Sequence, residues 1–378
     1  MLKIIIDENI AFAREAFNYL GQVILLPGKK ITNQDLKNAD ILIIRSVTKV
    51  NEALLKNTSV KFVGTATIGT DHIDIEYLNK NNIAFADAKG CNAFSVAEYV
   101  IASLLYLANK SDFVLRGKNI GIVGVGNIGS KVAKFAKALG MNLLLNDPPL
   151  QRITNNRDFV NLDKILEADI ITLHVPLNSE GVDRTYHLFD KARLSKINNG
   201  TIIINSSRGA VINNSDLFDL ISDKKLKVVL DVWENEPEIN IGLLKKVMIG
   251  TPHIAGYSWE GKVNGTLMIY NSLCNFLGVE QKFSLIKEFP QNSLLGFDES
   301  DKMERNLENL IENIYPIQND DLQMRKMLNM DKEERIKYFD WQRKNYPKRR
   351  EFDNYSVQSE NLSDETKTLL EQLRFKII

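Results

Sequence analysis

Short runs of β-branched and aliphatic residues alternate with helix-period apolar patterns over most of the chain, and this alternation is the strongest constraint on its fold. The runs are apolar at successive positions, as in strands buried on both faces. They therefore predict parallel sheets covered by helices on either side, an α/β class. Strands are expected near residues 3–6, 23–25, 41–44, 62–64 and 83–86, with a helix over 13–20, enough for one small doubly wound domain. A long helix over 94–109 leads to a second series, with strands near 119–123, 143–146, 170–173, 201–204, 227–230 and 247–249. The helix after Ser258 carries Val263, Leu267, Tyr270 and Leu273 on one stripe. It is expected to return the chain to the first domain, making that domain discontinuous.

A chain of 378 residues exceeds one comfortable core. Past about Leu285 the pattern changes to polar segments around helices with a single apolar stripe, made by Met303, Leu307, Leu310, Ile311 and Ile314. Such a stripe needs a surface to cover it. The expectation is a third, small α+β module that packs on a partner subunit in a homodimer. The expected divisions are 1–93 with 258–285, 94–257, and 286–378.

Lys plus Arg and Asp plus Glu both number 48, so global charge gives no reason to expect nucleic acid or an anionic membrane surface. The most apolar stretch, 94–108, is interrupted by Ser95, Glu98 and Ser103 and falls short of the roughly 20 residues of a membrane span. Two cysteines, Cys91 and Cys274, cannot make a disulfide framework and fit a reducing cytoplasm. No His, Cys, Asp or Glu group has metal-ligand spacing, so no metal is expected.

Gly124-Val-Gly126-Asn127-Ile128-Gly129 follows the strand expected at 119–123 and opens a helix. The glycines suit a tight turn, close approach of backbone to a pyrophosphate, and close helix packing, with phosphate at the positive helix end. The next strand ends at Asp147, where a carboxylate can bond both hydroxyls of an adenosine ribose and repel a 2′-phosphate. NAD is expected in preference to NADP.

Three polar groups sit just after strands of this second series, where open α/β sheets bind ligands. Arg208, in Asn205-Ser-Ser-Arg208-Gly209, has the planar fork to hold a carboxylate while polarising a carbonyl oxygen. Glu236, in Trp233-Glu-Asn-Glu-Pro237, and His253, in Thr251-Pro-His253-Ile-Ala-Gly256, make a carboxylate–imidazole pair suited to general base catalysis. Of the other histidines, His174 is expected to line the cofactor cleft and His72 to buttress a substrate loop. His187 shows no supporting context.

In the order of these motifs the chain resembles the D-2-hydroxyacid dehydrogenase family over about residues 1–280. The segments that carry the resemblance are Asp7-Glu-Asn9, Arg45-Ser-Val-Thr-Lys-Val-Asn51, Gly64-Thr-Ala-Thr-Ile-Gly-Thr-Asp-His72, Gly90-Cys-Asn-Ala93, Asp147-Pro-Pro149, Leu230-Asp-Val-Trp-Glu234 and His253-Ile-Ala-Gly-Tyr-Ser-Trp-Glu-Gly-Lys262. The resemblance implies a Rossmann-type NAD domain inserted in a flavodoxin-like substrate domain, with Arg208, Glu236 and His253 catalytic. It implies cofactor contacts from Asp147, Val175, Ser206, Ser207, Arg208, Asp231 and Gly256, and substrate contacts from Ser46, Thr67 and Tyr257. Val175 stands where a threonine is frequent, which leaves a backbone or packing contact there. The narrower resemblance is to members that oxidise 4-phospho-D-erythronate on the route to vitamin B6. Trp341-Gln-Arg-Lys-Asn-Tyr-Pro-Lys-Arg-Arg-Glu351 echoes their C-terminal dimerisation domain.

A phosphate on the substrate needs donors beyond Arg208, and the loop after the third strand offers Ser46 with Arg45 and Lys49. Arg349 and Arg350 of the tail are further candidates across a dimer. The alternatives are a family member acting on 3-phosphoglycerate or an unphosphorylated D-2-hydroxy acid, and an NAD-sensing corepressor-like binding protein. The presence of Arg208, Glu236 and His253 weighs against the last.

Overall fold

The computed structural model describes residues 1–155, 158–284 and 293–378; the boundary expected at 285–286 lies outside them. The chain forms two compact units, one of Met1–Asn92 with the chain from Ser258, the other of Ala93–Tyr257 with the described residues 293–378. Among the described residues no helix is long and apolar enough to cross a membrane.

The first unit holds five parallel strands, β1 (Leu2–Asp7), β2 (Gly21–Leu26), β3 (Ile41–Ile44), β4 (Phe62–Thr65) and β5 (Ala84–Asp87), in the order β2-β1-β3-β4-β5. Successive side chains point to opposite faces, so each strand feeds two cores. Ile4, Ile6, Ile41 and Ile43 pack with Phe17, Ile269 and Tyr270 on one face, while Ile5, Leu42, Ile44 and Val63 pack with Leu36 and Leu78 on the other. The first face is covered by the Trp259–Leu277 helix, capped by Ser258, which accepts the Gly261 N–H at 2.8 Å. The helix expected over 13–20 spans only Ala13–Phe17, because the chain turns at Asn18–Leu20 to enter β2.

The second unit has six parallel strands, β6 (Asn119–Val123), β7 (Asn142–Asn146), β8 (Ile170–Leu173), β9 (Ile202–Asn205), β10 (Lys227–Leu230) and β11 (Ile249–Gly250), in the order β11-β10-β9-β8-β6-β7. The last strand begins two residues later than the pattern predicts. The preceding helix runs to Lys246, and the Arg325 guanidinium takes the Val247 carbonyl at 2.8 Å, which removes it from the ladder.

The remaining strands, β12 (Ser293–Leu295), β13 (Tyr355–Val357) and β14 (Lys376–Ile377), make a small parallel sheet in the order β12-β13-β14. The apolar stripe of the Met303–Glu312 helix was expected to need a partner subunit, and here the structure differs. Leu307, Leu310 and Ile311 are buried in the chain's own core against the Ala93–Lys110 helix, which is apolar around most of its circumference and so offers that surface. Arg374 reinforces the attachment, pairing with Glu98 at 3.3 Å and Glu351 at 3.0 Å.

Candidate active site

One register row organises the second unit. Asn146, Val123, Leu173, Asn205, Leu230 and Gly250 are aligned across six neighbouring strands. The next residue on each strand is therefore brought to the same edge: Asp147, Gly124, His174, Ser206, Asp231 and Thr251. Residues far apart in sequence become neighbours because parallel strands all present the same end.

The glycine loop fits a dinucleotide. A Cβ on Gly124 would lie 2.5 Å from the His174 carbonyl oxygen, and one on Gly129 would lie 1.9 Å from that of Gly124, so the chain's own packing requires these two. A Cβ on Gly126 would meet nothing within 4 Å. The space it leaves is open, where a pyrophosphate would approach the N-terminus of the Asn127–Ala138 helix. Ile128, beside Asn127 in the first turn, packs on the core, and Val175 lies 2.9 Å from the Gly124 Cβ position. Two buried polar atoms on this edge, Ser206 Oγ and His174 Nδ1, have no hydrogen-bond partner, as expected of groups that serve a bound ligand. Asp147 is aimed by backbone: it accepts the Val125 N–H at 2.8 Å from the glycine loop and the Leu150 N–H at 2.9 Å as a helix cap.

Arg208 is held by a folded turn. Buried Asn205 donates to the Arg208 carbonyl at 3.0 Å and accepts from the Ser207 N–H and hydroxyl at 3.1 and 2.8 Å, so the Ser207 hydroxyl is already engaged. A Cβ on Gly209 would lie 2.0 Å from the Trp233 carbonyl, which places this turn directly on the segment that leads to Glu236. The Trp233 indole donates to the Thr251 carbonyl at 3.0 Å, tying in the third segment.

Glu236 Oε2 and His253 Nδ1 lie 2.8 Å apart, and Glu236 Oε1 accepts the Trp233 N–H at 2.8 Å. Burial alone would raise the Glu236 carboxyl, but the His253 charge, the bond from His253 and the Trp233 N–H outweigh it and hold it below the ordinary range. An ionised carboxylate only accepts, so Nδ1 carries hydrogen and Nε2 keeps the lone pair of a base. His253 is itself in the left-handed region at φ 59°, a strained placement for a non-glycine residue. Asp231 maintains it: its buried carboxylate accepts from the Thr251 hydroxyl and the Ile254 and Ala255 N–H groups at 2.6, 2.7 and 2.9 Å. In this structure Asp231 thus braces the histidine loop, a role that its position after a strand did not reveal. Gly256 lies in the turn that follows, closed by the Tyr257 N–H on the Ile254 carbonyl at 2.8 Å. His174, by contrast, is pulled down to about 3 by burial, far too low for a base near neutral pH.

The C-terminal module contributes residues that sequence reasoning missed. Arg349, a candidate for contact across a dimer that the sequence could not place, is buried and donates to the Ala255 carbonyl at 2.5 Å and to Ser95. Asp321 accepts the Gly250 N–H at 2.8 Å. Arg350 is turned inward to Asn354 at 2.6 Å. His187 also has a partner that its context did not signal, Glu234 at 2.7 Å.

In the first unit Ser46 and Thr67 each stand two residues past an aligned pair, Ile44 and Thr65. Ser46 is exposed, and Thr67 bonds Thr65 at 2.7 Å, which His72 Nε2 meets at 3.1 Å. Arg45, expected as a phosphate donor, is committed to the fully buried carboxylate of Asp7 at 3.1 Å.

Residues 108–255 match the D-isomer specific 2-hydroxyacid dehydrogenase NAD-binding domain, and residues 288–373 match a domain of unknown function, DUF3410. The chain is 44% identical to an erythronate-4-phosphate dehydrogenase of Klebsiella pneumoniae (strain 342), over 100% of this chain and 99% of that protein. It is 42% identical to one of Proteus mirabilis (strain HI4320), over 99% of each. Among solved structures, the NAD⁺-bound 3-phosphoglycerate dehydrogenase of Entamoeba histolytica matches with a TM-score of 0.64 at 25% identity, over 76% of this chain and 99% of that one. An Aquifex aeolicus D-lactate dehydrogenase has the same fold, with a TM-score of 0.60 at 23% identity, over 73% and 96%. The chain belongs to the erythronate-4-phosphate dehydrogenase family of NAD-dependent D-2-hydroxyacid dehydrogenases.

Proposed function

We propose that this chain oxidises 4-phospho-D-erythronate to (R)-3-hydroxy-2-oxo-4-phosphooxybutanoate with NAD, a step toward pyridoxal 5′-phosphate. The reading is carried by the Glu236–His253 pair, at the same strand edge as a dinucleotide loop, in a chain 44% identical along its length to a protein of that name. Bound NAD supplies the hydride acceptor. Arg208 holds the acid's carboxylate with its planar fork and polarises the oxygen that becomes a carbonyl. His253 Nε2 takes the hydroxyl proton, an assistance worth roughly 10²–10⁴-fold, while Glu236 stabilises the imidazolium and fixes the ring. Ser46, Thr67 and Tyr257 contact the substrate; Val175, Ser206, Ser207, Asp231 and Gly256 contact the cofactor. The enzyme is a cytoplasmic homodimer.

The test is NADH formation with 4-phosphoerythronate, erythronate, 3-phosphoglycerate and D-lactate. A kcat/KM that favours 4-phosphoerythronate by orders of magnitude is expected. Equal efficiency with the unphosphorylated acid would return the chain to general D-2-hydroxy acid oxidation, and a preference for 3-phosphoglycerate would favour the activity of the Entamoeba protein.

A further inference from the structure

The C-terminal module brings to Tyr257 a cation that the mechanism above does not use. Arg343, in the last turn of the Lys332–Lys344 helix, places its guanidinium carbon 5.9 Å from the centre of the Tyr257 ring. Tyr346 meets the same ring edge-on at 5.9 Å and is itself anchored by its hydroxyl on Asp320 at 2.8 Å. Tyr257 is thus framed by residues of the module.

Arg343 is partly buried, and its Nε is out of solvent with no hydrogen-bond partner. Among the described residues no carboxylate stands within ion-pair distance of it. Burial loosens its proton, but the hydrogen-bonded Tyr257 hydroxyl and the nearby Glu236 carboxylate outweigh that and keep it protonated. Arg349 of the same module also leaves Nε and Nη1 unmatched but spends Nη2 on the Ser95 and Ala255 carbonyls, so what sets Arg343 apart is its place beside Tyr257. A partly buried guanidinium with an unmatched N–H is costly unless a ligand completes it.

We propose that Arg343 is a substrate-binding residue that receives the acid's phosphate beside Tyr257, so that the C-terminal module helps set specificity. The inference rests on the phosphorylated-substrate reading above. Its chemistry is that of a planar fork meeting a dianion bidentately. Glu236, close enough for its charge to act on Arg343, would repel an unaccompanied dianion, and a cation on that side removes the conflict.

The experiment compares kcat and KM for 4-phosphoerythronate and erythronate in the full-length protein, R343Q and R343K, with calorimetric titration of 4-phosphoerythronate as a binding readout. R343Q is expected to lower the ratio of kcat/KM values, phosphorylated over unphosphorylated, by about 10- to 100-fold, chiefly through KM. R343K keeps the charge without the fork and should recover part of the ratio. If R343Q does not fold, R343K decides, and its ratio must fall severalfold. An equal loss with both acids overturns the inference, because Arg343 then only braces Tyr257 and Glu236. A parent enzyme that prefers the phosphorylated acid, with a variant that keeps the preference, sinks this inference alone. A parent that treats the two acids alike sinks the functional reading and this inference with it.

Discussion

Glu236 and His253 are joined at 2.8 Å through Oε2 and Nδ1, although 17 residues and a strand separate them. The bond leaves Nε2 free of the carboxylate, as the proposed base requires. His253→Ala is expected to lower turnover at least about 10²-fold while NADH binding, read by fluorescence, stays close to that of the parent. Glu236→Gln should keep the ring in place but remove the charge that stabilises its protonated form. If His174→Ala removes turnover and His253→Ala does not, the assignment of the base is wrong.

Two glycine substitutions separate cofactor effects from folding effects. Gly126→Ala meets nothing within 4 Å, so it should fold with nearly the parent's melting temperature yet weaken NADH binding, because the added methyl occupies the open space. Gly209→Ala places its methyl 2.0 Å from the Trp233 backbone and must push the Arg208 turn away from the Glu236 segment. It should lose roughly 1–3 kcal/mol of stability together with turnover. Normal NADH affinity in Gly126→Ala would remove the dinucleotide from that loop.

Asp320 makes stability fall as pH rises through an unusual window. Burial pushes its carboxyl up to about 6, an effect that the Tyr346 bond and the Arg349 charge only partly offset. A folded-state value above the unfolded one means that the native protein holds more protons between about 4 and 6. The contribution is fully present below the unfolded value and is lost as pH rises through about 6. Asp320→Asn should therefore flatten the pH dependence of the urea midpoint over that window. A slope identical to the parent's would show that Asp320 titrates normally.

The C-terminal module packs on the chain's own core. Removing residues 293–378 strips the cover from the Ala93–Lys110 helix and removes the Asp321 and Arg349 braces on the histidine loop. The truncated chain should aggregate or lose turnover as a monomer. The intact protein should sediment as a dimer. A soluble, fully active truncation would show that these braces are dispensable.

The sequence by itself determined the parallel α/β class, because strands buried on both faces must be apolar at successive positions, as Ile41–Ile44 is. It determined the strand–turn–helix at Gly124–Gly129, and singled out Asp147, Arg208, Glu236 and His253 as candidates by their places just past strands. Those signals are local, and local spacing records them. Tertiary structure alone decided which charges were already spent. Asp7 takes Arg45, the histidine loop takes Asp231, and Ala255 and Ser95 take Arg349, while Arg343 is left beside Tyr257. It also decided that the stripe at Leu307 and Leu310 is covered from within, since an apolar face shows that it must be buried and not against what. Partners separated by tens to hundreds of residues leave no periodicity in the sequence. Packing alone selects among equally charged candidates.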